Sequence, residues 1–420
     1  MFRNLCSPRL MAGCAMFAAS AAYADPAAGD ETTGMKVSGN VRLYSFSRNY
    51  TNSQLTDLHS TSLGGKVKVE SSNQEGLGAA LALYFAQDIG LNNHDQNNKT
   101  INPLLMGTSY GIYVPGEAYV QYKAAEFLAR GGNQRIDNPW INPSDGFMIP
   151  NLYRGGVVTY SPIEGVQLEG DRILQFKNRT SVGFDRNNLF VLPYDNPHFT
   201  GEDNGAAALG VTYKGDSASA KGWYYRFYDF AQMGYVQGGY QVAMSGASPF
   251  ADLQFMRETG QGAALLGAVD SKAYGAKLGV ALPEKMGNIY FAYNKVPTQF
   301  AAGVSNGNLL SPYTQVYNTD PLYTTVMNYG LVSARGAGHA WQVGTDLKLL
   351  DEKLDTSVTF SRYMTEPYVK DVNALMLDVA WHMGGSLKGM TIRDRLGYEH
   401  GLPAWGGNYF DNRIMLQYAY

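Results

Sequence analysis

The feature that most restricts this chain is an alternation of apolar and polar side chains with a period of two residues. In DNRIMLQYAY, residues 411–420, Ile414, Leu416, Tyr418 and Tyr420 share one face; Arg413, Met415, Gln417 and Ala419 share the other. That period belongs to a β-strand lying between two different environments. KVSGNVRLYSFSRNY sets Val37, Val41 and Leu43 against Arg42, Tyr44, Phe46 and Arg48. SLGGKVKVE sets Leu63, Val67 and Val69 against Lys66, Lys68 and Glu70, and LGAALALYFAQD, AWQVGTDLKLL and NALMLDVAW repeat the pattern. No stretch after the N-terminal region approaches the roughly 20 consecutive apolar residues of a spanning helix. The chain is therefore all-β, and alternation alone leaves open whether its apolar faces meet a protein core or lipid.

The connections narrow the choice. Short turns, such as SSNQEG (71–76), SPIEG (161–165), KGDS (214–217) and LDEKL (350–354), alternate with long Asn-, Gly- and Pro-rich segments at 89–115, 135–153, 174–203 and 295–338. About 18 strands fit this pattern, with every short turn at one end and every long loop at the other, as in a transmembrane antiparallel β-barrel. A soluble sandwich, the competing reading, has no reason to sort its connections in this way. Closure also leaves no unpaired strand edge in lipid. The composition, with 48 Gly, 30 Tyr and 18 Phe and a mean hydropathy of −0.24, agrees, because only half the strand residues of a barrel face lipid.

The first residues add a compartment. Arg3 and Arg9, an apolar run from Leu10, and Ala22-Tyr23-Ala24 before Asp25 form a secretory signal over residues 1–24, leaving 25–420 as the barrel domain. Cleavage removes Cys6 and Cys14, so neither a disulfide framework nor a thiolate metal site is expected. It also takes the basic count from 33 to 31 against 36 acidic residues, and the net charge from −3 to −5, which argues against nucleic acid as a partner.

Four segments carry a resemblance: VRLYSFSRNY near the start; GGNQRIDNPWINPSDGFMIPNLYRGGVVTYSPIEGVQLEGDRI; the long 295–338 stretch; and MTIRDRLGYEH with the closing strand. In order and spacing they resemble the OprD-type porins, the carboxylate channels of Gram-negative outer membranes. The resemblance implies an 18-stranded barrel whose inward-folded loops constrict the pore and whose wall carries a ladder of basic residues. It implies passive diffusion of small carboxylates, amino acids or aromatic compounds. As an outer-membrane barrel the chain is expected to contact outer-membrane lipid and lipopolysaccharide and to need no cofactor, and the sequence leaves open whether it forms a homotrimer. SDGFMIP stands where that family usually has Ser-Asp-Ser-Arg-Leu-Leu-Pro, so Phe147 occupies an arginine's place and points to a less basic, more aromatic constriction, and to hydrophobic or neutral solutes as much as carboxylates.

The residues support a ladder independently. Arg393 and Arg395 are two apart and share a strand face. Arg413 on the last strand, and Arg42 and Arg48 on the first, come beside them on closure, with Lys66 and Lys68 extending the row. Successive guanidiniums give an anion weak bidentate stations without a deep trap. The alternative is a set of ordinary lumen charges balancing Asp and Glu. Trp140, Ser144, Asp145 and Phe147 are the candidates for the constriction, with Trp140 and Phe147 as mere loop anchors the alternative. In WYYRFY (223–228), Tyr224, Arg226 and Tyr228 are expected inside and Trp223, Tyr225 and Phe227 in lipid. Strict alternation also turns Asp394 to lipid, which a bulge, a headgroup position or another protomer would relieve.

No catalytic constellation is expected. The histidines (His59, His94, His198, His339, His382 and His400) have no metal-ligand spacing, and GQGAALLGA lacks a βαβ context. An outer-membrane hydrolase and an adhesin or receptor barrel without a transport role are the alternatives from other classes.

Overall fold

The structure, a computed structural model, describes residues 34–420 apart from 72–74, 95–98, 108, 191–202, 300–306, 334–336, 367–370 and 402–407. The expected signal peptide lies outside the described residues. Six strands open the chain: β1 (Met35–Tyr50), β2 (Leu58–Ser71), β3 (Gly76–Asp88), β4 (Gly111–Ala124), β5 (Phe127–Gln134) and β6 (Leu152–Ile163). Then follow β7 (Val166–Lys177), β8 (Ala206–Lys214), β9 (Ala218–Phe227), β10 (Ala231–Gln241), β11 (Ser248–Gly260) and β12 (Asp270–Ala281). The last six are β13 (Gly287–Val296), β14 (Gly338–Leu349), β15 (Leu354–Thr365), β16 (Val372–His382), β17 (Met390–His400) and β18 (Tyr409–Ala419).

Each strand pairs antiparallel with its sequence neighbours, and β1 pairs with both β2 and β18, so the 18-stranded sheet closes on itself. Leu43 sits opposite Leu416 on one side and Leu63 on the other. That register keeps apolar side chains on one continuous surface across the seam. Leu43, Val67, Leu81, Leu83, Leu209, Leu253 and Ile414 are all exposed on that surface. A belt of this size on the outside of a molecule is the mark of a lipid-facing wall.

The long connections lie at one end as expected, but the three-residue turn between β9 and β10 (228–230) lies at that end too, so not every short turn is at the other. The long ones are 89–110 and those called here L3 (135–151), L4 (178–205) and L7 (297–337); the described parts of the last three fold into the barrel. There they meet the inner faces of β6 to β16 in one large apolar cluster containing Trp140, Tyr153, Phe176, Tyr313 and Tyr329.

That cluster corrects one expectation. Trp223, Tyr225 and Phe227 of β9 face inward and are buried, whereas Tyr224 is exposed on the outside. Both faces of WYYRFY are aromatic, so alternation there shows the period but not which face points in. The loops decide it, because Tyr225 and Phe227 pack beneath L3 and L7. Asp394 does face outward, beside Ile414 in the register. Its Oδ1 accepts a hydrogen bond from Asn412 Nδ2 at 2.8 Å, so a neighbouring side chain, not a bulge, lowers the cost of a polar group on that face.

Candidate channel constriction

The first and last strands bring the basic side chains together. Antiparallel pairing sets Arg395 opposite Arg413, and Arg48 opposite Asp411. Alternation turns all of these inward, together with Arg42, Lys66, Lys68 and Arg393. The seven ladder candidates thus lie on one arc of the lumen wall, formed by β17, β18, β1 and β2.

Most rungs are occupied by carboxylates. Arg48 Nε and Nη2 hold Asp411 at 2.6 and 2.8 Å, and Arg413 Nη2 reaches the same carboxylate at 2.9 Å. Arg393 grips Asp378 in a two-point contact at 2.7 and 2.5 Å. Lys68 lies 2.8 Å from Glu70 and 3.6 Å from Glu117. Arg395 differs: its Nη2 donates to the Tyr44 hydroxyl at 2.5 Å and to the Gly146 carbonyl at 2.6 Å, and it has no carboxylate partner among the described residues. Lys66 has no ion pair among them either. Bidentate pairing and shared carboxylates are what guanidinium geometry permits.

L3 is clamped onto this arc from above. Asp145 takes Arg42 Nη1 on one oxygen at 3.0 Å and Arg135 Nη1 on the other at 2.8 Å. Burial alone would raise the Asp145 carboxyl, but the two facing guanidiniums outweigh it and hold the group below the usual carboxylate range. Arg42 Nη1 also donates to the Phe147 carbonyl at 2.5 Å.

Phe147 is buried against Tyr44 and Phe46, with ring centroids at 6.1 and 5.7 Å. Sequence reasoning missed what covers it. Arg179, from L4, lays its guanidinium between the Phe147 ring at 4.2 Å and the Tyr317 ring of L7 at 3.9 Å. Its Nε donates to the Ser144 carbonyl at 3.1 Å and its Nη2 to the Ser144 hydroxyl. Burial lowers Arg179 to about 10, which still leaves it protonated at neutral pH. Arg413 approaches the same Phe147 ring at 5.1 Å and the Phe46 ring at 4.4 Å. Where Phe147 removes a cation from L3, Arg179 thus places one beside the ring. No local motif marks Arg179; the only signal in the sequence was Phe147 itself.

Trp140 lies elsewhere. It is fully buried, edge-on to Tyr235 at 6.5 Å, within the apolar cluster of the far arc. Of the four constriction candidates, Ser144, Asp145 and Phe147 therefore gather at the arginine arc, and Trp140 does not.

A closed barrel with sorted loops, and a third loop clamped between arginines, describes a narrowed channel. The chain matches the outer membrane porin, OprD family, over residues 32–318. It belongs to that family. Similar solved structures include OccK9 (OpdG) of Pseudomonas aeruginosa, with a TM-score of 0.76 at 16% identity over 92% of this chain and 98% of that one. OpdK of Pseudomonas aeruginosa with vanillate gives 0.72 at 16% identity, over 92% and 98%. A BenF-like porin from Pseudomonas fluorescens Pf-5 gives 0.74 at 15% identity, over 92% and 98%. No curated protein matches the chain in sequence. This OprD-family porin is a substrate-selective channel for small solutes in the Gram-negative outer membrane.

Proposed function

We propose that this porin passes small carboxylates, with those carrying an aromatic ring preferred, along the arginine arc past L3. The carrying observation is the excess of guanidinium over carboxylate at the constriction. Asp145 serves two arginines, Asp411 serves two more, and Arg395 and Arg179 have no carboxylate partner among the described residues. A solute carboxylate would replace the weak neutral acceptors of Arg395, the Tyr44 hydroxyl and the Gly146 carbonyl, by a charge-assisted pair. Phe46, Phe147 and Tyr317 offer π-faces next to that station. The vanillate bound to OpdK, an aromatic carboxylate, is consistent with this choice.

In this reading Arg42, Arg48, Lys66, Lys68, Arg393, Arg395 and Arg413 are the ladder, and Ser144, Asp145 and Phe147 shape its narrowest point. Trp140 holds L3 in place. The chain is exported by residues 1–24 and acts as a channel, not an enzyme. Its lipid partners include lipopolysaccharide, and a homotrimer would join at the wall around Asp394 and Asn412. A monomer by light scattering would remove the trimer, and release of fatty acid from phospholipid vesicles would remove the non-enzymatic reading.

The test of the solute class is liposome swelling with benzoate-like acids, aliphatic acids, amino acids and neutral sugars. Arg395→Gln should slow the acids and spare the sugars, and its reversal potential in planar bilayers should shift towards cations. An unchanged ranking of solutes and an unchanged reversal potential would defeat the proposal.

A further inference from the structure

The outer wall carries a second, unrelated set of cations. Among the described strand residues, the Lys and Arg side chains that alternation turns towards lipid are Arg154, Arg172, Arg226, Arg257, Lys272, Lys295 and Arg362. All seven sit within a few residues of the long-loop end of their strands, the end that faces the cell exterior. At the short-turn end the corresponding outward positions are Tyr160, Leu168, Tyr213, Tyr240, Val280, Trp381 and Tyr418, with no cation. The belt spans β6 to β15 and is absent from the β17–β18–β1–β2 face, which carries the lumen ladder on its inner side.

The register crowds these cations together. Arg257 lies directly opposite Lys272. Arg172 and Arg226 flank Ala207 from either side, and both guanidiniums lean on the Tyr228 ring, at 4.7 and 5.3 Å. Like charges opposed on a strand pair destabilise it. Two carboxylates offset them, Asp270 at Arg257 and Asp371 at Arg362; Lys272 and Lys295 have no ion pair among the described residues. Just below the belt the wall turns oily, with Phe255, Leu278, Phe291 and Phe360 exposed. Long cationic side chains at that boundary extend their heads to the headgroup layer.

A one-sided cationic belt at the exterior headgroup level fits a polyanionic outer leaflet and nothing on the inner one. We propose that this belt binds the phosphates of a phosphorylated glycolipid, the lipid A part of lipopolysaccharide. The acyl chains lie on the oily wall and the phosphates lie between Arg226, Arg257, Lys272 and Lys295. The proposal rests on the outer-membrane location and is independent of the solute that crosses the lumen.

The test compares binding of bisphosphorylated lipid A, its dephosphorylated form and inorganic phosphate to the detergent-solubilised full chain. The protein should bind the bisphosphorylated lipid at least tenfold more tightly than the dephosphorylated one. The combined variant R226Q/R257Q/K272Q/K295Q should weaken it by about fivefold per cation removed. The lumen substitution Lys277→Gln should leave binding unchanged, and the four-site variant should keep the anion conductance of the parent. Equal affinity for the dephosphorylated lipid, or unchanged affinity in the four-site variant, would overturn the proposal. Competition by millimolar inorganic phosphate would overturn the lipid assignment. If the four-site variant does not insert, Lys295→Gln and the parent's discrimination between the two lipids decide the matter.

Discussion

Two arcs of the lumen hold the loops in opposite ways. From β6 to β16 the loops meet an apolar patch of the inner wall: Trp140, Tyr153, Tyr225, Phe227, Tyr235 and Tyr313 interlock in one buried cluster. Across the barrel, β17, β18, β1 and β2 present Arg395, Arg413, Arg42 and Arg48, and L3 is held there by Asp145, the Gly146 and Phe147 carbonyls, and a ring. The apolar cluster fixes where the loops sit by packing. The guanidinium contacts are directional, and that of Arg395, to the Tyr44 hydroxyl and the Gly146 carbonyl, has no carboxylate to displace among the described residues. Apolar packing thus supports the loops on one wall, and directional polar contacts hold L3 on the other.

The comparison breaks most readily at its apolar side. Trp140→Ala should cost about 3–5 kcal/mol, detach L3 from β10, and raise single-channel conductance with loss of solute ranking. Parental conductance and parental resistance to denaturant would mean that the arginine clamp alone holds the loop. On the other arc, Asp145→Asn leaves Arg42 and Arg135 without their shared anion. Losing one partner of a buried ion pair costs about 3 kcal/mol or more. L3 should again become mobile, but here anion selectivity should rise, since two guanidiniums are freed. The same change in selectivity from both substitutions would show that the arcs do not differ in role.

The arcs were unequally legible in the sequence. The arginine arc could be read almost residue by residue, because Arg393, Arg395, Arg413, Arg42 and Arg48 sit on strands where the period of two assigns a face. WYYRFY defeated the same rule: with aromatics on both faces, lipid and a loop-filled interior look alike, and only the loops covering Tyr225 and Phe227 decide. Arg179 could not be read at all. It lies in a loop, where tertiary contacts and not periodicity set the conformation, and its partners Ser144, Phe147 and Tyr317 come from two other loops. The replacement of an arginine by Phe147 was visible, but its meaning was not. On sequence it suggested a less basic constriction, whereas in the fold the ring is a platform for Arg179 and Arg413.

That platform gives a sharper test of the wet arc. Arg179→Gln removes a buried cation held by two rings and two acceptors. Charge-assisted contacts of this kind contribute about 1.5–3 kcal/mol, so flux of aromatic acids should fall about tenfold while neutral sugars pass as before. Phe147→Arg should not restore the family pattern. It places a third guanidinium beside Arg179 and Arg413 and removes the ring between them, so carboxylate flux should fall, not rise. A gain in carboxylate flux would mean that Phe147 merely fills space.

The smallest expected effect joins the arcs through L7. Asp320 is buried in that loop, its Oδ1 accepting from the Leu322 backbone N–H at 3.2 Å and the Thr325 hydroxyl at 2.7 Å. L7 also touches the tip of L3, where Asn142 Nδ2 donates to the Thr319 carbonyl at 2.8 Å. Burial pushes Asp320 up to about 6, against the lowering effect of its hydrogen bonds. For an acid raised above its unfolded value of about 3.9, the folded loop favours the proton. The resulting stability is complete below the unfolded value and is lost as pH rises through about 6. Amide exchange over 315–326, corrected for its intrinsic pH dependence, should therefore quicken by up to about tenfold between pH 5 and 7.5. Asp320→Asn should flatten that response while leaving exchange at Tyr225 and Phe227 as it was. A response of equal size in the variant would remove Asp320 as its source; Asp145, which its two guanidiniums hold below the usual carboxylate range, stays ionised from pH 5 to 7.5 and contributes nothing.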